Sequence, residues 1–193
     1  MINERHNVVI TEQYGDYSPP FPVKNLIEDL LSGISIHHLR GLQSIILRNS
    51  DDTNRRDRRR KTMARKQKVA IANCRGVYNQ KWHDGPATIW IFVDNVIARR
   101  PKWLLRVPFF RHMLFSEVLF HELGHHIHYT TAPEYKERED VAEEWKIKLT
   151  KEYAANRYGY LKRFRLLFRG LSAILRLVVF LIRKLSGRQN GQS

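Results

Sequence analysis

The sequence predicts an α+β fold in which a short, mostly antiparallel sheet precedes two helices. Three short runs rich in β-branched and aromatic residues, "GLQSIILRN", "VAIANCRGVYN" and "ATIWIFVDN", all lie in the first half of the chain. Two longer stretches in the second half place apolar residues at helical spacing instead. The 193 residues are 42% hydrophobic, enough for one real core and too much for a disordered chain.

Taken in order, residues 1–22 end in "SPPFP", where the prolines forbid a helix interior and mark a boundary. "VKNLIEDLLSGI" then sets Leu26, Ile27, Leu30, Leu31 and Ile34 at helical spacing, with Gly33 near a plausible end. Leu42 to Arg48 reads as a strand. "NSDDTNRRDRRRKTMARKQK" has too few apolar residues to bury a face and reads as a long solvated loop. Two further strands follow, joined through "QKWHDGP", and Cys74 falls on the first of them as a small core residue. "RRPKWLLRVPFFRH", interrupted by Pro101 and Pro108, is a connection. One helix is expected from Phe110 or Arg111 to about His128, and a second from about Ala132 to Tyr153, with Val141, Ala142, Trp145 and Leu149 as its apolar stripe.

Net charge is +15, and two segments carry it. Arg55 to Lys68 holds nine basic residues and one acidic, and residues 161–193 hold eight basic and none acidic. The rest of the chain is therefore near neutral. Cys74 is the only cysteine, which excludes an intrachain disulfide framework and a cysteine-cluster metal site. With a polar N-terminus that lacks the apolar run of a secretory signal, this fits a cytoplasmic chain.

The chemistry concentrates in "FSEVLFHELGHHIHYTT", Phe115 to Thr131. His121 and His125 are four residues apart, so on a helix both imidazoles leave the same face and can hold one metal ion. Glu122 lies beside them without having to coordinate, and Val118, Leu119, Leu123 and Ile127 make the helix half buried. Zinc accepts imidazole nitrogen and carboxylate oxygen, and needs three protein ligands when a fourth position holds water. The next helix offers "EYKEREDVAEEWKIKL". At about 100° per residue, Glu139 lies at the edge of its apolar stripe, Glu143 further round, and Asp140 and Glu144 nearly opposite. Glu139 is the first choice as third ligand and Glu143 as the carboxylate that accepts a ligand histidine's N–H, with the reverse assignment open. His126 and His128 are expected to be solvated or to hydrogen-bond near the site, not to ligate. His37, His38, His83 and His112 carry no spacing signal.

"HELGH" followed by a glutamate on the next helix resembles the gluzincin group of zinc metallopeptidases. The "E-x-x-A-E-x-W" of residues 139–145 is similar to the small bacterial and phage metallopeptidases of the ImmA/IrrE kind. The resemblance is specific over residues 115–150 and architectural over 42–95. It departs at Glu143, where gluzincins commonly place an aspartate. It implies a zincin-like fold, one zinc ion per chain on His121, His125 and Glu139, and hydrolysis of a protein or peptide substrate. Glu122 would be the general base on an activated water and return the proton to the leaving amine. Tyr129, His128 and Tyr153 are candidate oxyanion donors, unranked. By the same analogy "ATIWIFVD" is the sheet edge along which an extended peptide pairs.

Residues 1–160 thus read as the metallopeptidase domain, with 55–68 a basic loop, and 161–193 as a basic amphipathic tail. The arginine run has no interleaved aromatic residue, which favours a solvated loop over nucleic-acid binding. In the tail Lys162, Arg165, Arg169, Ser172, Arg176 and Arg183 share one helical stripe, a pattern for a helix lying over 161–185 on an anionic membrane surface. Arg176 in mid-segment disfavours a span. The competing function is a non-catalytic, zinc-stabilised regulatory or interaction module that the tail brings to a membrane.

Overall fold

A computed structural model of the protein describes residues 8–51, 61–64, 67–80, 87–98, 100–131 and 139–158. The elements in order are β1 (Val9–Gln13), α1 (Val23–Ser32), β2 (Leu42–Arg48), β3 (Lys61–Ala64), β4 (Gln67–Ala70), β5 (Gly76–Asn79), β6 (Ala87–Phe92), α2 (Val93–Ile97), α3 (Pro108–Thr131) and α4 (Glu139–Tyr158). Short 3₁₀ turns lie at Ile36–Leu39, Ile71–Asn73 and Leu104–Arg106. One compact unit runs to Tyr153 and a second begins at Ala154. The amphipathic tail of 161–193 and the arginine run of 55–60 lie outside the described residues.

The fold is α+β, with a small mixed sheet in place of the mostly antiparallel one expected. Four strands stand in the order β1-β2-β6-β5. β1 with β2 and β2 with β6 are parallel, and only β5 with β6 is antiparallel. The difference has two causes. "VITEQ", inside the polar N-terminal stretch, supplies a first strand at the sheet's edge, and α1 then acts as the crossover that a parallel pair requires. The "VAIANCRGVYN" run is not one strand: the turn Ile71–Asn73 breaks it, leaving β4 to pair with β3 in a separate antiparallel sheet and β5 to join β6. Part of the expected basic loop, 61–64 and 67–68, is therefore strand.

Register assigns the faces. Ile45 pairs with Ile89 and Leu47 with Ile91, while Gly76 stands opposite Ile91 and Tyr78 opposite Ile89. These residues share one face, and α3 packs on β5 and β6 there. Ile45, Leu47, Ile89 and Ile91 are fully buried, a gain of about 1.5–3 kcal/mol each before chain entropy is counted. The opposite face carries a smaller cluster of Ile71, Cys74, Val77 and Phe92, with the Arg48 guanidinium 4.6 Å over the Trp90 ring.

Polar clamps join the helices. Asp29 of α1 meets His112 of α3 at 3.0 Å and accepts from the Tyr153 hydroxyl of α4 at 3.2 Å. Glu152 accepts from the Ser35 amide at 2.7 Å and meets His38 at 3.0 Å. Gly33 is where α4 comes close, since a Cβ there would fall 2.3 Å from the Tyr153 ring. Among the described residues, no helix is long and apolar enough to cross a membrane.

Candidate metal centre

α3 is longer than the expected helix, starting at Pro108 and ending at Thr131. Its proline sits in the first turn, where no intrahelical N–H is lost. The apolar residues Phe115, Leu119, Phe120 and Leu123 are fully buried and fix its rotation. That rotation sends His121 and His125 toward α4. Their Nε2 atoms lie 3.2 Å apart, and Glu139 Oε2 is 3.5 Å from His121 Nε2. One donor atom from each of the three residues lies within 4.8 Å of the others. Glu143 Oε2 approaches the other side of the ring, 3.6 Å from His121 Nδ1, and is paired with the Lys146 ammonium. The two glutamates thus take opposite nitrogens of one imidazole.

Burial, then the nearby His125, hold His121 well below the usual histidine range, down to about 4. At neutral pH it carries no charge, so its approaches to Glu139 and Glu143 are not ion pairs. Two imidazole nitrogens and a carboxylate oxygen come together, three lone-pair-bearing atoms at one place. A cation relieves all three. Neighbouring ligands on a tetrahedral zinc with bonds of about 2.0–2.2 Å stand roughly 3.3–3.6 Å apart, close to both spacings found here. Two of the three donor spacings thus suit that ion, and the third is within 4.8 Å.

Glu122 is buried beside the pair and lies against β5: a Cβ on Gly76 would stand 2.7 Å from its Oε1 and 2.8 Å from Val118 Cγ1. The strand continues along the helix, and two residues on Tyr78 reaches His126, one turn beyond Glu122. His126 is fully buried. Its Nε2 lies 3.1 Å from the Arg40 carbonyl and its Nδ1 3.3 Å from the Tyr78 hydroxyl. A carbonyl only accepts, so Nε2 carries the proton and the tyrosine donates to Nδ1.

No protein-family model matches the chain, and neither a curated protein nor a solved structure is detectably similar to it. The geometry of the site stands alone.

One expectation changes here. β6 lies between β2 and β5, so the sheet edge beside α3 is β5, not "ATIWIFVD". His126 and His128 are both buried, and His126 takes the second of the two roles expected of it, hydrogen-bonding beside the site. His128 follows His121 by seven residues, nearly two whole turns, and so returns to the same stripe. Its Nε2 has no hydrogen-bond partner among the described residues. Of the other two candidate donors, Tyr153 gives its hydroxyl to Asp29 and packs on Phe120, while Tyr129 is half buried.

Sequence reasoning passed over Gly76, Tyr78 and Asn95. The Asn95 side chain donates to the carbonyls of Ala72 and Cys74, at 2.7 and 2.8 Å, and so fixes the turn that launches β5 against Glu122. A glycine inside an apolar strand pattern was the available signal, since it marks a close backbone approach.

Proposed function

We propose that the chain is a zinc-dependent metallopeptidase of the gluzincin type, with His121, His125 and Glu139 as metal ligands and Glu122 as general base. The observation that carries this is the convergence of two imidazole nitrogens and one carboxylate oxygen beside a buried glutamate. Zinc held there would supply a Lewis acid and bring the pKa of a water toward neutrality.

The geometry supports a role for several of the protein's own groups. Glu122 takes a proton from the attacking water and delivers it to the leaving amine, a shuttle that its place next to the ligands allows. Glu143 accepts the Nδ1 proton of His121, which orients the ring and leaves Nε2 for the metal. An extended peptide adds along β5, the end strand of the sheet, which brings its backbone past Gly76 and Glu122. His128 and Tyr129 remain as donors to the developing oxyanion, Tyr153 being committed to Asp29.

The test is Glu122→Gln, assayed on a mixed peptide library read by mass spectrometry with zinc content measured alongside. Loss of hydrolysis with zinc retained at one per chain supports the assignment. Hydrolysis unchanged in the variant refutes the role of Glu122. Zinc bound with no hydrolysis even in the unaltered chain favours the non-catalytic module.

A further inference from the structure

Far along α3 from the histidines, the surface is unusual. Of seven large apolar side chains exposed among the described residues, four fall between 103 and 113: Trp103 at 64%, Val107 at 40%, Phe109 at 57% and Met113 at 47%. They do not sit on a slack loop. The Arg106 amide donates to the Trp103 carbonyl at 3.1 Å and the Val107 amide to Leu104 at 3.2 Å, closing the 3₁₀ turn, and α3 follows at once. Phe109 and Met113 are one turn apart on that helix and share a face. Its rotation is locked from behind: His112 is tied to Asp29, and the Arg111 guanidinium lies 5.0 Å over the Phe21 ring. Burying Phe109 or Met113 against the body would break both contacts.

The chain through these residues is basic, with Glu117, one turn beyond Met113, the first acidic residue after it. From Ala98 to Ser116 the sequence holds five lysines and arginines and no aspartate or glutamate. Lys102 and Arg106 are themselves exposed, interleaved with Trp103 and Val107.

We propose that this face, the turn Leu104–Arg106 with the first turns of α3, is a docking surface for an anionic lipid bilayer. Tryptophan and phenylalanine partition into the boundary between headgroups and acyl chains, and lysine and arginine beside them reach anionic headgroups. Both parts of that chemistry are present and locked outward. A nucleic acid fits less well, because Val107 and Met113 offer nothing to a base stack. The inference stands apart from the metal reading and uses no residue of that site.

The experiment is co-sedimentation of the full chain with phosphatidylcholine vesicles and with mixed phosphatidylcholine–phosphatidylserine vesicles, for three proteins: the unaltered chain, Trp103→Ser with Phe109→Ser, and Lys102→Glu with Arg106→Glu. Because all four side chains are exposed, both variants should melt as the parent does. The unaltered chain is expected to prefer the serine-lipid vesicles. The apolar variant should lose about tenfold or more of its binding to either vesicle. The charge variant should lose its preference for phosphatidylserine and keep the weaker binding to phosphatidylcholine. No vesicle binding by the unaltered chain overturns the proposal. So does binding that both variants retain in full, which would place lipid affinity elsewhere in the chain or leave the face to a protein partner.

Discussion

Gly124 sets the distance between the two helices that carry the candidate ligands, and Gly124→Ala measures how much that distance matters. A Cβ on Gly124 would lie 2.5 Å from the Ala142 carbonyl oxygen, 2.9 Å from its Cα and 3.1 Å from its carbonyl carbon. All three are backbone atoms, so no rotamer change relieves the overlap. Ordinary contact begins at 3.4 Å, which requires α4 to withdraw by about 0.9 Å (3.4 − 2.5). Glu139 lies three residues before Ala142 on the same helix and withdraws with it, while His121 and His125 stay on α3. Ligand distances tolerate about 0.2 Å, so the carboxylate is lost or strained and zinc affinity should fall by about 100-fold or more. Stability should change less. Overpacking costs about 1–3 kcal/mol, and replacing a helical glycine by alanine returns about 1 kcal/mol. The net is a drop of up to about 2 kcal/mol, or roughly 8 °C at most for a chain of this size. The assay is competition for zinc against a chromophoric chelator, with melting followed on the metal-free protein. Ala142→Gly added to the variant should not rescue it, because the overlap is with backbone. Unaltered zinc affinity in Gly124→Ala would refute this account of the ligand geometry.

Three further outcomes follow from the same contacts. Gly76→Ala pushes on Glu122 and Val118 without touching a ligand. Peptide hydrolysis should fall by about 10- to 100-fold while zinc stoichiometry is unchanged, and a parallel loss of zinc would contradict the separation of roles. For the metal-free chain, His121 titrates at about 4 when folded against an ordinary 6.5. Between those values the unfolded chain holds a proton that the folded chain does not, so stability is lost as pH falls from 6.5 toward 4 and this loss is complete below 4. Urea midpoints across that window check it, with His121→Asn expected to flatten the profile; a slope unaltered by the substitution would count against it. Burial, and then the Glu122 carboxylate, push the Cys74 thiol up to about 11. A thiol reagent at neutral pH should therefore modify Cys74 only at the rate of opening, and prompt labelling of the native chain would show that the cluster under β5 is loose.

The histidine cluster was legible because a four-residue spacing on a helix carries geometry by itself. His121, His125 and Glu139 do come together, and β2 has the expected bounds Leu42–Arg48 because its apolar run is bordered by Gly41 and Asn49. Strand pairing was less legible. "VITEQ" alternates too weakly to stand out from a polar terminus, since an edge strand needs only one buried flank, and without it the parallel half of the sheet could not be inferred. The choice between Glu139 and Glu143 also exceeded the wheel argument. Both lie on one side of α4, and what separates them is which nitrogen of His121 each one faces, a matter of how two helices cross. His128 shows the opposite case, where counting turns would have placed it on the ligand stripe at once.

α3 has no glycine or proline between Pro108 and Gly124, and so no built-in joint over that length. Phe109 and His121 are twelve residues apart (121 − 109), about 18 Å along the axis. The helix is in effect a strut whose length is set by sequence alone. With one end seated on a surface, the reach of the other is not adjustable, and inserting or deleting four residues would change it by about 6 Å (4 × 1.5) while rotating the histidines by about 40° (4 × 100 − 360).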